Sequence, residues 1–189
     1  MHLPRPHTDG MAPWTPRLKL TDDDFTLFAL PPKQAQDRAQ IDALWRDLQA
    51  RVHPDRFAAD GAAAQRVAMQ WAVRVNEAYR RLKDPLLRGA YLCELRGTPI
   101  QAEDNTAMPG VFLMQQMQWR EALDEAVDLP AVQALEADVV THEQALHEDL
   151  QLALDVRDDA ATAAATVRAL MFVSRFRQDI AKRIEALDA

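Results

Sequence analysis

Histidines, cysteines and paired carboxylates are the side chains from which reactive centres are built. In this 189-residue chain, with five His and a single Cys, they offer little. His142-Glu-Gln-Ala-Leu-His147 looks at first like a zinc helix. Zinc helices need histidines four apart, however, and a spacing of five turns one side chain about 140° from the other. Both histidines therefore read as ordinary, partly exposed helix residues. Cys93 falls in the apolar run Tyr91-Leu-Cys-Glu-Leu95, where a free thiol behaves as a small hydrophobe. One cysteine also excludes an internal disulfide or a cysteine-built metal or cluster site within one chain. No Gly-rich phosphate loop, nucleophile elbow or paired-carboxylate pattern is present, so the expectation is a non-enzyme with no cofactor and no metal. What remains is His53-Pro54-Asp55, preceded by Arg46 and Arg51. On structural grounds alone Pro54 ends a helix and Asp55 caps the next one, so the tripeptide gains meaning only from its position.

That position follows from the elements around it. Phe25-Thr-Leu-Phe28 makes a brief first helix that Pro31-Pro32 stops. Asp37 with Gln40 resembles a capping box, and Ile41, Leu44, Trp45 and Leu48 recur at helical spacing, which predicts a second helix over about 38–52. Pro54 ends it. After Asp60-Gly61, the residues Val67, Trp71, Val75, Ala78 and Leu82 mark one face of a third helix, suited to pack back on the second. The tripeptide thus sits at the tip of a helical hairpin. Asp84-Pro85 starts a fourth short helix that Gly97 closes.

Residues 98–109, with Pro99 and Pro109, read as a linker. Three further helical patterns follow at about 110–128, 130–154 and 159–187, which short turns restrict to a compact bundle. Residues 1–20, rich in proline and without periodicity, read as a flexible tail. The fold class expected is all-α, in two lobes divided as 21–97 and 110–189.

Composition agrees. The chain is 48% hydrophobic with only five Gly, which suits helices rather than strands and tight turns. A formal charge of -7 argues against a protein whose main work is gripping nucleic acid. No apolar run reaches the length of a membrane span, and the first residues lack the apolar core of a signal peptide, so a cytoplasmic protein is expected.

A His-Pro-Asp loop between two amphipathic helices, with a short helix before and another after, resembles the J-domain of DnaJ-type proteins. The resemblance implies docking on a DnaK-class chaperone and activation of its ATPase in trans, through differential binding to two states of the partner. His53 then supplies a directed hydrogen bond, Pro54 a rigid turn and Asp55 a charge for a partner arginine. Arg46 and Arg51 add steering toward an acidic surface. The chain departs from the J-domain pattern in the helix before the loop: Asp42 and Asp47 dilute its positive charge, and Val52 stands where a Tyr is usual.

The second lobe narrows the family. Val111-Phe-Leu-Met-Gln-Gln-Met-Gln-Trp-Arg-Glu-Ala-Leu-Asp-Glu125 resembles the first helix of the client-binding bundle of the HscB co-chaperones. Phe25-Thr-Leu-Phe-Ala-Leu-Pro31, Asp84-Pro-Leu-Leu-Arg-Gly-Ala-Tyr-Leu92 and Thr166-Val-Arg-Ala-Leu-Met-Phe172 resemble other HscB segments in the same order, over about residues 22–187. Membership implies two partners, an HscA-type DnaK-class chaperone and the iron-sulfur scaffold protein IscU. It places the scaffold-binding patch on Leu113, Met114, Met117, Gln118, Arg120, Glu121, Glu125 and Phe172. Gln118 replaces a glutamate common in the family, and no cysteine-rich segment precedes the J-domain, as in bacterial members. On spacing alone Leu113, Met114 and Met117 read as core. The rival function is a general J-domain adaptor for unfolded clients whose second lobe only dimerises; exposure or burial of that stripe separates the two.

Overall fold

The computed structural model describes residues 18–100 and 110–188. Among them every regular element is helical, as composition and periodicity predict. The described chain forms α1 (Asp24–Leu27), α2 (Arg38–Val52), a 3-10 turn (Pro54–Asp60), α3 (Ala62–Lys83), α4 (Pro85–Leu95), α5 (Gly110–Glu125), α6 (Leu129–Asp155) and α7 (Ala160–Asp188). The expected linker lies mostly outside the described residues, as does all but the last part of the expected tail.

Capping sets most of the helix starts. The Asp23 carboxylate accepts from the N–H groups of Phe25 and Thr26, Asp37 from Ala39, and Asp84 from Leu86 and Leu87. Pro85 stands at the first position of α4, where its missing N–H costs nothing.

The contacts divide the chain into two compact units. The first runs up to Pro32 and from Gln36 to Lys83. Its core is Phe25, Phe28, Ile41, Val52, Val75, Ala78 and Leu82, drawn from α1 and its C-cap, α2 and α3. Here the buried Asp24 carboxylate meets Arg74 at 2.6 Å and Arg81 at 3.1 Å, pinning α1 to α3. Arg74 also donates to the carbonyls of Leu20 and Asp22.

The second unit holds Lys33–Ala35 and everything from Asp84 onward. The sequence places the boundary after Gly97; the structure draws α4 into the bundle. The reason is local packing. Gly89 lies so close to α6 that an added Cβ would fall 2.6 Å from Cδ2 of Leu150. Leu92 and Cys93 are buried on the same helix, as are Leu150, Leu154, Ala163, Ala164 and Val167 of α6 and α7. Residues 33–35 are stitched to this unit by hydrogen bonds. The Asp155 carboxylate accepts from the N–H groups of Gln34 and Ala35, at 2.7 and 2.8 Å, and Arg88 Nε donates to the Gln34 carbonyl at 2.9 Å.

Candidate functional site

Two surfaces carry the residues singled out above, one in each unit. At the hairpin tip, His53 adopts φ -60 and ψ 125, the extended backbone that a following proline imposes. Pro54 opens the 3-10 turn, and Gly61, at φ +91, supplies the left-handed conformation that starts α3. Within the loop the N–H of Asp55 points to Nδ1 of His53 at 3.4 Å, and the N–H of Arg56 donates to the His53 carbonyl at 3.0 Å. The Asp55 carboxylate lies 3.6 Å from Nδ1 of His53, and its side chain is 90% exposed, so it remains open to solvent.

Arg46 and Arg51 are exposed on α2. Arg51 pairs with Asp47 at 2.6 Å, and Arg38 with Asp42 at 2.9 Å, so the acidic residues that thin the helix's charge also engage its arginines. The Arg38 hydrogen bond and then that of the Tyr79 hydroxyl hold the Asp42 carboxyl below its ordinary pKa. A ladder down this side fixes α2 against α3: Trp45 stacks on Tyr79 at 4.6 Å, and Trp45 and Gln49 both donate to Oδ1 of Asn76. The sequence reading missed Asn76, Tyr79 and Arg56. Trp45 and Tyr79 carried a signal, since both are amphipathic aromatics on facing helices.

In the second unit, α5 buries Phe112 and Trp119 and turns its other side outward. Leu113, Met114 and Met117 are 45%, 61% and 71% exposed, which overturns the reading of them as core on spacing alone. Gln118, Arg120, Glu121 and Glu125 are exposed beside them, while Phe172 of α7 is half-buried. The Arg120 guanidinium lies 5.5 Å from the Phe172 ring centre, a cation–π contact that joins the two helices at the patch. All eight residues of the patch thus lie on α5 or the neighbouring turn of α7.

Behind the stripe lies an aromatic cluster that the sequence did not announce. His142 is not a simple surface residue: its ring stacks on Phe112 at 5.9 Å and meets Trp119 edge-on at 5.0 Å. His147 is half-buried on the same helix. Cys93 is fully buried, and desolvation pushes its thiol up to about 11 despite the nearby Arg96 and Arg168. Such a thiol is a poor nucleophile at neutral pH. The two surfaces differ in kind: an exposed polar loop in one unit, and an apolar stripe with a charged rim in the other.

A helical hairpin bearing an exposed His-Pro-Asp tip, joined to a separate helical bundle, defines a J-domain co-chaperone. A family profile described as the HSCB C-terminal oligomerisation domain matches residues 108–181. A co-chaperone protein HscB homolog from Bordetella petrii is 51% identical over 85% of this chain and 95% of its own length. One from Cupriavidus taiwanensis is 48% identical over 90% and 98%. Chaperone HscB from Vibrio cholerae matches in structure with a TM-score of 0.80 at 33% identity, covering 87% of this chain and 98% of that one. Human co-chaperone protein HscB gives 0.83 at 25% identity, covering 97% and 94%. The chain belongs to the HscB family of co-chaperones.

Proposed function

We propose that this co-chaperone stimulates the ATPase of an HscA-type, DnaK-class chaperone through His53, Pro54, Asp55, Arg46 and Arg51. The same molecule brings to that chaperone an IscU-type iron-sulfur scaffold, held on Leu113, Met114, Met117, Gln118, Arg120, Glu121, Glu125 and Phe172. The observation that carries the reading is the outward stripe of α5, where three large apolar side chains stand in solvent on a helix whose aromatics are already buried. A stripe of that kind, rimmed by Arg120, Glu121 and Glu125, suits a folded client that must dissociate again. No helix among the described residues is long and apolar enough to cross a membrane, in keeping with work in the cytoplasm.

The test is steady-state ATP hydrolysis by the chaperone with the co-chaperone added, with and without the scaffold. Wild type and scaffold together stimulate more than either alone. His53→Gln removes the co-chaperone's part, and Met117→Lys removes the synergy with the scaffold while leaving the stimulation by co-chaperone alone. Stimulation that ignores His53 would overturn the first half of the proposal, and synergy that survives Met117→Lys the second.

A second reading is favoured by the oligomerisation named for the profile that matches residues 108–181. In it the α5 stripe seats another copy of the chain, and the protein is a general adaptor for unfolded clients. Sedimentation decides between them: a monomer at the concentrations where the scaffold binds removes this alternative.

A further inference from the structure

The proline of the hairpin tip creates a hydrogen-bonding deficit, and a neighbouring side chain fills it. In an α-helix the carbonyl of each residue accepts from the N–H four residues on. For Ala50, in the last turn of α2, that residue is Pro54, which has no N–H to give. The residue that shapes the loop thus also orphans a carbonyl at its base. Nη1 of Arg56 donates to the Ala50 carbonyl at 3.0 Å. The main-chain N–H of Arg56 bonds the His53 carbonyl, also at 3.0 Å. Arg56 therefore grips the chain on both sides of Pro54, with its side chain on the last turn of α2 and its backbone on the loop. A cation at this place also complements the negative end of the α2 dipole.

We infer that Arg56 is a positioning residue for the His53-Pro54-Asp55 loop. Its guanidinium stands in for the N–H that Pro54 lacks and so holds His53 and Asp55 in the presentation that the chaperone recognises. This rests on the docking role proposed above for the loop. It differs from a role as one more cation for the chaperone to attract: a positioning bond acts in the free protein and resists salt, whereas attraction between exposed charges is screened.

The experiment uses the full chain as wild type, Arg56→Ala, Arg56→Lys and His53→Gln, titrated into a DnaK-class chaperone at low and high ionic strength. Arg56→Ala loses about fivefold in maximal stimulation, the scale of one hydrogen bond, and the loss is the same at both ionic strengths. Arg56→Lys, which can still donate to Ala50, recovers most of it. In the free protein the amide resonances of Arg51 and His53 move in the Ala variant and return in the Lys variant, while those of α1 stay in place. The inference is overturned if Arg56→Ala stimulates like wild type. It is equally overturned if the deficit vanishes at high salt with the free-protein amides unmoved, which makes Arg56 a docking cation. His53→Gln keeps the two levels apart. Loss of stimulation there, with Arg56→Ala unimpaired, removes this inference only; full stimulation by His53→Gln removes the docking role itself.

Discussion

The indole nitrogen of Trp119 donates to Oδ2 of Asp138 across 2.7 Å, and this bond between α5 and α6 helps decide which side of α5 faces solvent. The Trp119 ring is buried, stacked on Phe176 at 6.0 Å. Phe112, seven residues earlier, lies within about 20° of it around the helix and meets Phe172 edge-on at 5.8 Å. With both rings inward, Met117 stands about 160° away and has only solvent to face. The exposed stripe thus depends on the rings of Phe112 and Trp119 buried behind it. Trp119→Phe keeps an aromatic ring but removes the bond and part of the indole's packing; Asp138, exposed, can rehydrate. The expected loss is about 1–3 kcal/mol, read from the urea midpoint of the bundle. Trp119→Ala costs about 3–5 kcal/mol by emptying the cluster and weakens scaffold binding with the α5 stripe itself unaltered. A Trp119→Ala protein that binds the scaffold at full strength would show that the stripe needs no such support.

The Asp24 carboxylate, at 0% exposure between Arg74 and Arg81, is a buried charge of the first unit. Removing Asp24 leaves Arg74 its bonds to the Leu20 and Asp22 carbonyls and leaves Arg81, 38% exposed, to solvent. Asp24→Ala is expected to cost about 2–3 kcal/mol, less than a fully buried pair and more than an exposed one. The loss should appear in unfolding of the hairpin unit, followed by the near-ultraviolet signal of Trp45 and Trp71. A change below about 1 kcal/mol would mean that water reaches the two arginines and the pairing carries little.

The hairpin was legible because its signals are local. Asp37, Pro54, Gly61 and Asp84 each act on the backbone within a turn or two, and helix bounds follow from them. The face of α3 was read nearly right: Trp71, Val75, Ala78 and Leu82 are buried, with Ala68 taking the place expected of Val67. The scaffold-binding patch was drawn from family resemblance alone. Spacing puts Met114 and Met117 on one face but cannot say which face turns inward; Trp119 and His142 settle that, by contacts between helices distant in sequence. The grouping of α4 with the bundle differs from the lobe division read in the sequence for a similar reason. Pro99 and Gly97 mark where the chain turns, whereas the membership of α4 depends on the close approach of Gly89 to Leu150, which no local signal announces.

Burial raises the Cys93 thiol from an ordinary 9.0 to about 11. The folded chain therefore keeps its proton at pH values where the unfolded chain has begun to lose it. The stability tied to this difference is complete below about pH 9 and is lost as the pH rises through about 11. Thermal midpoints between pH 8 and 11 should fall more steeply for wild type than for Cys93→Ala. At pH 8 a disulfide reagent should modify the native thiol only as fast as the unit opens, and modify the urea-unfolded chain at once. Rapid labelling of the native protein would contradict the burial on which both expectations rest.

On α2 the Asp47 carboxylate holds Arg51 at 2.6 Å, with both side chains about half exposed. An exposed pair of this kind adds little stability, so its consequence lies in the charge presented to a partner. Asp47→Asn removes one negative charge from α2 and releases Arg51 from its pair. Steering of this sort changes encounter rates more than the final contacts. The association rate with the chaperone, measured by stopped-flow, should rise by roughly two- to tenfold at low ionic strength. It should approach wild type at high salt, where exposed charges are screened. The unfolding midpoint should barely move. The dissociation rate should stay near that of wild type, because the loop of His53 and Asp55 is unaltered. An unchanged association rate at low ionic strength would take the α2 arginines out of the encounter and leave the loop to find its partner alone.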